Sequence, residues 1–168
     1  MTNFLIVAHT LVSIFAVLIG AAAIADLTRS RVTSTPIKVF FAAAAATSLS
    51  GFFLPLPGVS PAVVVGLVAL TVLAAVAIAR PRVQTSPVAR WVYAGGFVVS
   101  HYLLVFVAIA QTFAKVGLLQ SLAPTQSEPP FAIVQAATLA AFLGVGLITA
   151  VRFRPDRPGG VALSGVAA

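Results

Sequence analysis

Residues 90–130 read RWVYAGGFVVSHYLLVFVAIAQTFAKVGLLQSLAPTQSEPP, and this segment decides the fold of the chain. It opens with Arg90 and Trp91, crosses roughly twenty apolar residues around His101, and ends in a polar loop. A helix rises ~1.5 Å per residue, so a run of this length crosses the ~30 Å hydrocarbon core of a bilayer. The segment therefore predicts a membrane-spanning helix followed by a loop on the far side.

The composition of the whole chain agrees with a membrane protein. Of 168 residues, 60% are hydrophobic and 8% are charged. A soluble domain carries roughly 25% charged residues, so this chain has too little polar surface to cover a globule in water. The apolar runs are continuous rather than alternating, which favours helices over a strand-built barrel.

Further apolar runs lie on both sides of the opening segment. We predict an all-α integral membrane bundle of five transmembrane helices, forming a single domain over residues 1–151. The predicted spans are about 4–25, 37–54, 62–79, 91–113 and 131–151. The residues after Lys115 are expected to be a loop that opens with a short interfacial helix. Residues 152–168 carry glycine, proline and charge without apolar periodicity, so we expect a mobile cytoplasmic tail.

The basic residues predict the orientation. With five spans, nine of the ten share one side and only Lys115 lies on the other. The nine are Arg29, Arg31, Lys38, Arg80, Arg82, Arg90, Arg152, Arg154 and Arg157. Because cytoplasmic loops are enriched in Lys and Arg, the N-terminus is expected outside and the C-terminus in the cytoplasm. We expect a multi-pass protein of a bacterial inner (plasma) membrane, with Trp91 and Tyr93 at the inner interface and no nucleic-acid partner.

Few residues in this chain could carry a reaction. There is no cysteine, and the acids are Asp26, Glu128 and Asp156. Three acids do not readily build a paired-carboxylate active site or a carboxylate metal cage. The sequence has no phosphate-binding glycine loop, no nucleophile elbow and no HExxH motif. These observations favour a protein that is not an enzyme, without excluding one.

Two histidines within apolar runs, His9 and His101, are candidates for function because ionisable groups are costly inside a bilayer. They could ligate haem b, although their depths differ by ~10 Å at ~1.5 Å per residue. They could instead belong to a pocket for quinone or another small ligand. As a third alternative, each is neutral and hydrogen-bonded to a neighbouring helix.

Other polar residues extend the list of ligand-binding candidates. Ser100, Tyr102 and Gln111 could donate hydrogen bonds to a ligand near His101. Lys115 either extends towards the headgroups or, with Glu128, belongs to an outward-facing site.

Small residues at helical spacing predict the faces through which the spans pack, because close approach drives helix association in lipid. The predicted inward positions are His9, Ser13, Ala16 and Gly20; Ala42, Ala46 and Ser50; Gly96 and Ser100; and Ala136, Ala140 and Gly144.

Three features in the first half of the chain carry a family resemblance. His9 opens the first span, GAAAIADLTRSR leads into a basic loop, and the second span ends in LSGFFLP. Over about residues 1–80 the chain resembles uncharacterised bacterial membrane proteins of the DUF2306 type. Members of that group often carry a second histidine beside a glycine in the first basic loop, where this chain reads RSRVTSTPIK. The resemblance implies membrane residence and several spans, but no activity, and a histidine-bound cofactor would lack one partner here.

Three classes of function follow. We expect a non-catalytic accessory protein or subunit of a membrane complex, surrounded by lipid and forming a homo-oligomer or a larger assembly. The first alternative is a redox protein that holds haem or quinone. The second is a small transporter or channel, for which the sequence lacks a visible repeat and a broken span with paired charges.

Overall fold

The computed structural model of the protein describes residues 2–54 and 61–155. These residues form helices and connecting turns, with no strand among them. The helices are α1 (Thr2–Thr28), α2 (Thr35–Gly51), α3 (Pro61–Ala79), α4 (Pro87–Lys115), α5 (Gly117–Leu122) and α6 (Pro129–Arg152). Four of them, α1, α3, α4 and α6, are long and apolar enough to cross a membrane. The all-α prediction is confirmed, and α5 is the short helix expected after Lys115.

The second predicted span is shorter in the structure than in the sequence. Helix α2 has 17 residues. At ~1.5 Å per residue it is ~25 Å long, less than the ~30 Å hydrocarbon core. The predicted span 37–54 also included residues 52–54, which form a turn after α2.

Helices α1, α4 and α6 extend beyond the apolar runs that predicted them. Helix α4 starts at Pro87, four residues before the predicted 91, because Ser86 caps it by accepting from the Ala89 N–H at 3.3 Å. Proline fits this first turn since its missing N–H has no helical partner there. Similarly, α1 runs to Thr28 rather than residue 25. Hydropathy marks only the apolar part of a helix, so the polar first and last turns are not included.

The helices run alternately up and down, and α4 is the hub. It packs against α1, α2, α3, α5 and α6. We call the end that holds the 29–34 turn, Arg80 and Arg152 the basic end, and the other the Lys115 end. A hydrogen bond joins His9 to Ser50 near the Lys115 end. The eight basic residues of the described segments other than Lys115 lie in or beside the turns of the basic end.

Asp26 closes the turn between α1 and α2. It is buried in the last turn of α1, and its carboxylate accepts from Arg31 Nη1 at 3.0 Å and lies 3.8 Å from Arg29 Nη1. A buried carboxylate needs such charged partners. The backbone N–H groups of both arginines also donate to the Asp26 carbonyl, at 3.1 and 3.0 Å. The predicted first span ends at residue 25, whereas the structure places Asp26 within α1.

Aromatic side chains fill the core at the basic end. Tyr93 contacts Phe97 at a centroid distance of 5.0 Å and stacks on Phe153 at 5.8 Å. Its hydroxyl donates to the Val32 carbonyl at 2.7 Å. Tyr93 is buried between the helices, and its depth at the membrane interface stays a prediction. Trp91, beside it, is 54% exposed.

The predicted mobile tail starts too early. Arg152 still belongs to α6, and Phe153 is fully buried. The Ser30 hydroxyl donates to the Arg152 carbonyl at 3.1 Å, and the Arg154 N–H donates to Ser30 Oγ at 2.8 Å. These contacts fasten the end of α6 to the α1–α2 turn. The rest of the predicted tail, residues 156–168, lies outside the described residues.

The small-residue faces point inward on two helices and outward on two. On α1, Ala16 and Gly20 are buried, and on α4 Ser100 is buried, as predicted. On α2 the buried face carries Phe40 and Thr47, while the alanines at 42 and 46 are exposed. On α6 the predicted positions 136, 140 and 144 are all exposed, so the prediction is wrong there.

Candidate functional site

A cavity of about 500 Å³ lies between α1, α2, α3 and α4, in the half of the bundle towards the Lys115 end. Along α4 it extends from Ser100 to Lys115. Fifteen residues at ~1.5 Å each make this ~22 Å. The cavity is partly open, and most of its wall is apolar.

The cavity exists because small side chains leave the space between these helices unfilled. Residues of this kind line α2 and α3 where the two helices face α1 and α4. They are Ala44, Gly51, Ala62, Gly66 and Ala69. Protein interiors are normally packed like organic crystals, so a partly open space of this size between four helices has room for a ligand.

Two hydroxyls on the cavity wall lack hydrogen-bond partners within the described part of the chain. They are Thr47 Oγ1 on α2 and Ser100 Oγ on α4. Their residues are only 8% and 2% exposed. Leaving a buried hydroxyl unpaired costs about 1–3 kcal/mol. A ligand atom that accepts hydrogen bonds would remove this penalty.

His9 also lines the cavity and is held in a short hydrogen-bond chain. Ser50 Oγ donates to the Thr47 carbonyl at 3.1 Å, and His9 Nδ1 lies 2.8 Å from the same Oγ. When Ser50 donates its single hydroxyl proton to the Thr47 carbonyl, His9 Nδ1 is the donor to Ser50. The neutral ring then keeps its Nε2 lone pair as an acceptor.

At the Lys115 end, the cavity meets the polar side chains of Gln111 and Lys115, both exposed. The neighbouring Thr112 hydroxyl is occupied, because it donates to the Ala108 carbonyl at 2.7 Å. The mouth thus offers one amide and one ammonium group above a long apolar interior.

His101 lies near the cavity but does not line it. Its Nε2 donates to the Val17 carbonyl of α1 at 2.9 Å. Its ring meets Phe142 and Phe40 edge to face, at centroid distances of 5.2 and 5.7 Å. His101 thus joins α1 and α4 through its Nε2, while its Nδ1 has no hydrogen-bond partner among the described residues.

The geometry does not suit a haem shared by the two histidines. His101 contacts α1 at Val17, eight residues from His9, which is ~12 Å along the helix at ~1.5 Å per residue. The Nε2 of His101 is already engaged, and His9 faces the cavity while His101 does not. In the described segments, no three His, Asp or Glu side chains come together as metal ligands.

Tyr102 and Glu128 are also outside the cavity. Tyr102 packs against Phe142 and Phe106, at centroid distances of 5.7 and 6.1 Å. Glu128 precedes α6, where it accepts from the Thr125 hydroxyl at 2.8 Å and from the Thr125 and Ser127 N–H groups at 3.2 and 3.0 Å. Desolvation raises the pKa of Glu128, but these hydrogen bonds outweigh it, so the pKa lies below the ordinary 4.5.

The structure therefore unites four of the candidate residues and separates three. Those on the cavity are His9, Ser100, Gln111 and Lys115; those outside are His101, Tyr102 and Glu128. Sequence reasoning missed Thr47 and Ser48 as wall residues. The signal was present: three hydroxyl residues, TSLS, end an otherwise alanine-rich helix.

Comparison with protein-family models, curated proteins and solved structures finds no match for this chain. The resemblance to the DUF2306 type stays a prediction.

Proposed function

We propose that the chain is a five-span protein of a bacterial inner membrane, with its N-terminus outside, that binds a quinone-class ligand in the cavity. Four helices have the length and apolarity to cross a membrane. The proposal adds α2 as the fifth span and places the basic end in the cytoplasm, since basic loops favour that side.

Contacts at both ends of α2 support its crossing. Ser50, near its C-terminal end, bonds to His9 in the outer part of α1. At the other end, the Val32 carbonyl before α2 bonds to Tyr93, near the start of α4. If α1 and α4 cross the bilayer, α2 traverses most of the same thickness. Its polar flanks, and small local thinning of the lipid, accommodate a span of ~25 Å.

The unpartnered hydroxyls of Thr47 and Ser100 are the observation that carries the ligand assignment. Both residues belong to the largely apolar wall of the cavity, and each hydroxyl has a proton that no described group accepts. A quinone has carbonyl acceptors on a flat ring and an isoprenoid chain that suits apolar walls. The volume of about 500 Å³ is within the range of ligand pockets. His9 Nε2 offers an acceptor that matches the hydroxyl of the reduced form.

Binding of a short-chain quinone to the purified protein in nanodiscs tests this proposal. The variant Thr47→Val/Ser100→Ala removes both donors with little change of volume. Each hydroxyl bond is worth about 1 kcal/mol, so we expect affinity to fall roughly tenfold or more. The matched control is Thr71→Val, because Thr71 is exposed on α3 and bonds to the Leu67 carbonyl instead. Equal affinities for the two variants, or no quinone binding by the unaltered protein, would contradict the proposal.

A second candidate function, as a subunit of a larger membrane assembly, is favoured by the surface of α6. Among its residues only Gln135 and Thr149 are buried, and the small residues at 136, 140 and 144 face outward. Small residues at four-residue spacing let helices approach closely in lipid. A partner helix of a second subunit would cover this face.

Native mass measurement in mild detergent tests the assembly. We expect Gly144→Leu to dissociate a complex that the unaltered protein forms, because nothing lies within 4 Å of a Cβ at this position in the single chain. The control is Ala132→Leu, also exposed and ~120° around the helix from Gly144. A monomeric unaltered protein, or equal dissociation of both variants, would contradict this role.

A further inference from the structure

A second cavity, of about 290 Å³, lies at the basic end between α2, α3 and α4. Its apolar wall includes Phe41, Val76 and Phe97. Two cationic side chains also line it: Lys38 from the first turn of α2 and Arg80 from the residue after α3. It is a separate space from the quinone cavity, which lies towards the Lys115 end.

Among the residues that the structure describes, the charge around this cavity is positive. The ion pairs of the described segments join Asp26 to Arg29 and Arg31, so no carboxylate within these segments pairs with Lys38 or Arg80. Glu128 lies near the opposite end of the bundle. The Tyr93 hydroxyl, which also lines the cavity, donates its proton to Val32. The groups left to meet a ligand are therefore two cations above an apolar wall.

We propose that this cavity binds an anionic phospholipid, with the phosphate between Lys38 and Arg80 and the start of one acyl chain against Phe41 and Val76. Arg and Lys are the side chains that pair best with phosphate. Basic pockets between transmembrane helices at the cytoplasmic side suit lipid headgroups, because both charges lie where the headgroups lie. A free phosphate would leave the apolar wall in contact with water. The proposal requires that the helices span a bilayer, but it does not depend on quinone binding.

The test uses the full chain in mild detergent, with native mass spectrometry of bound phosphatidylglycerol and phosphatidylcholine. We expect the unaltered protein to retain one phosphatidylglycerol in preference to phosphatidylcholine. In Lys38→Gln/Arg80→Gln the affinity for phosphatidylglycerol should fall about 10- to 30-fold, since each basic residue near the headgroups attracts anionic lipid. The matched control, Arg82→Gln/Arg90→Gln, loses the same charge at the same end but does not alter the lining.

Each further outcome decides the proposal. Equal losses in the two double variants would overturn it, because general charge rather than this cavity would hold the lipid. Equal retention of the two lipids by the unaltered protein would overturn it without any variant. Displacement of the lipid by millimolar inorganic phosphate would show a site for a soluble anion instead.

Should Lys38→Gln/Arg80→Gln fail to fold, Arg80→Lys provides a second variant. Because Arg80→Lys retains the charge, it should preserve most of the preference for phosphatidylglycerol over phosphatidylcholine. Normal quinone binding by these variants would show that this result is independent of the other cavity.

Discussion

At the scale of single residues, His101 shows how a polar ring is accommodated inside an apolar bundle. Its Nε2–H is satisfied by the Val17 carbonyl, and its faces meet Phe142 and Phe40. The bond requires α1 and α4 to approach closely. Gly20 permits this, because its missing side chain leaves space for the imidazole.

Gly20→Ala is expected to destabilise the protein. The added Cβ would lie 2.7 Å from His101 Cδ2, closer than atoms pack, so the ring or α1 must shift. Overpacking of this kind costs about 1–3 kcal/mol. For a chain of this size that corresponds to a fall in apparent melting temperature of about 2–12 °C, measured by thermal unfolding in detergent. Gly95→Ala is the control, because a Cβ at this position meets nothing within 4 Å. Equal melting temperatures for the two variants would disprove the close contact.

The sequence predicted the depth of His101 but not its role. An apolar run around one histidine places that residue near the middle of a helix, and this much follows from counting. Its hydrogen-bond partner is a backbone carbonyl, which every residue possesses, so no pattern in the sequence marks Val17. Likewise, the hydroxyls of Thr47 and Ser100 are ordinary in sequence and become notable only when both line one cavity.

At the scale of helices, the apolar runs predict the positions of the helices well, but they predict the buried face of each helix poorly. In water, the apolar face of a helix identifies its buried side. In lipid both sides are apolar, so periodicity carries less information, and small residues serve either helix packing or an outer surface. On α1 the face that carries the small residues Ala16 and Gly20 packs against the other helices. On α6 the inward side is formed by Gln135 and Thr149, and the small residues face out.

The turn before α6 should respond to pH through Glu128. Its carboxylate accepts three hydrogen bonds from Thr125 and Ser127, so its pKa in the folded chain is below the ordinary 4.5. Because folding lowers this pKa, the ionised carboxylate stabilises the turn. The stabilisation is present above the pKa of Glu128 in the unfolded chain, and it is lost as the pH falls through the pKa in the folded chain. We therefore expect the amides of Thr125 and Ser127 to be protected from hydrogen exchange at neutral pH. Protection should decrease progressively below pH 4.5.

The variant Glu128→Gln isolates this effect. The glutamine side chain keeps the shape of the glutamate but does not titrate. Protection of the Thr125 and Ser127 backbone amides should therefore be weaker at neutral pH, and it should not change as the pH is lowered. Exchange rates are compared after correction for the intrinsic pH dependence of the chemistry. If acid lowers the protection of these amides equally in Glu128→Gln and in the unaltered protein, a group other than Glu128 causes the change.

At the scale of the whole molecule, the cavity between α1, α2, α3 and α4 is the feature that the sequence predicts least well. Helix number, order and approximate ends follow from apolar runs bounded by Ser, Pro and Arg. A cavity is the space that side chains of four helices leave unfilled, and its existence depends on the relative rotation of all four. The alanines and glycines that create it are the same residue types that elsewhere bring helices into contact. Only their placement in three dimensions distinguishes the two roles.

The proposed threading can be tested with single cysteines, because the chain contains none of its own. With the basic end inside, Thr33→Cys and Gln84→Cys should react with a membrane-impermeant maleimide only after cells are permeabilised. Phe53→Cys and Gln120→Cys should react in intact cells, since they lie near the Lys115 end; all four positions are exposed. The pair Thr33 and Phe53 flanks α2, so labelling of both from one side would show that this helix does not cross. Complete reversal of the pattern would keep five spans but invert the orientation, and the cavity with His9 would then open to the cytoplasm.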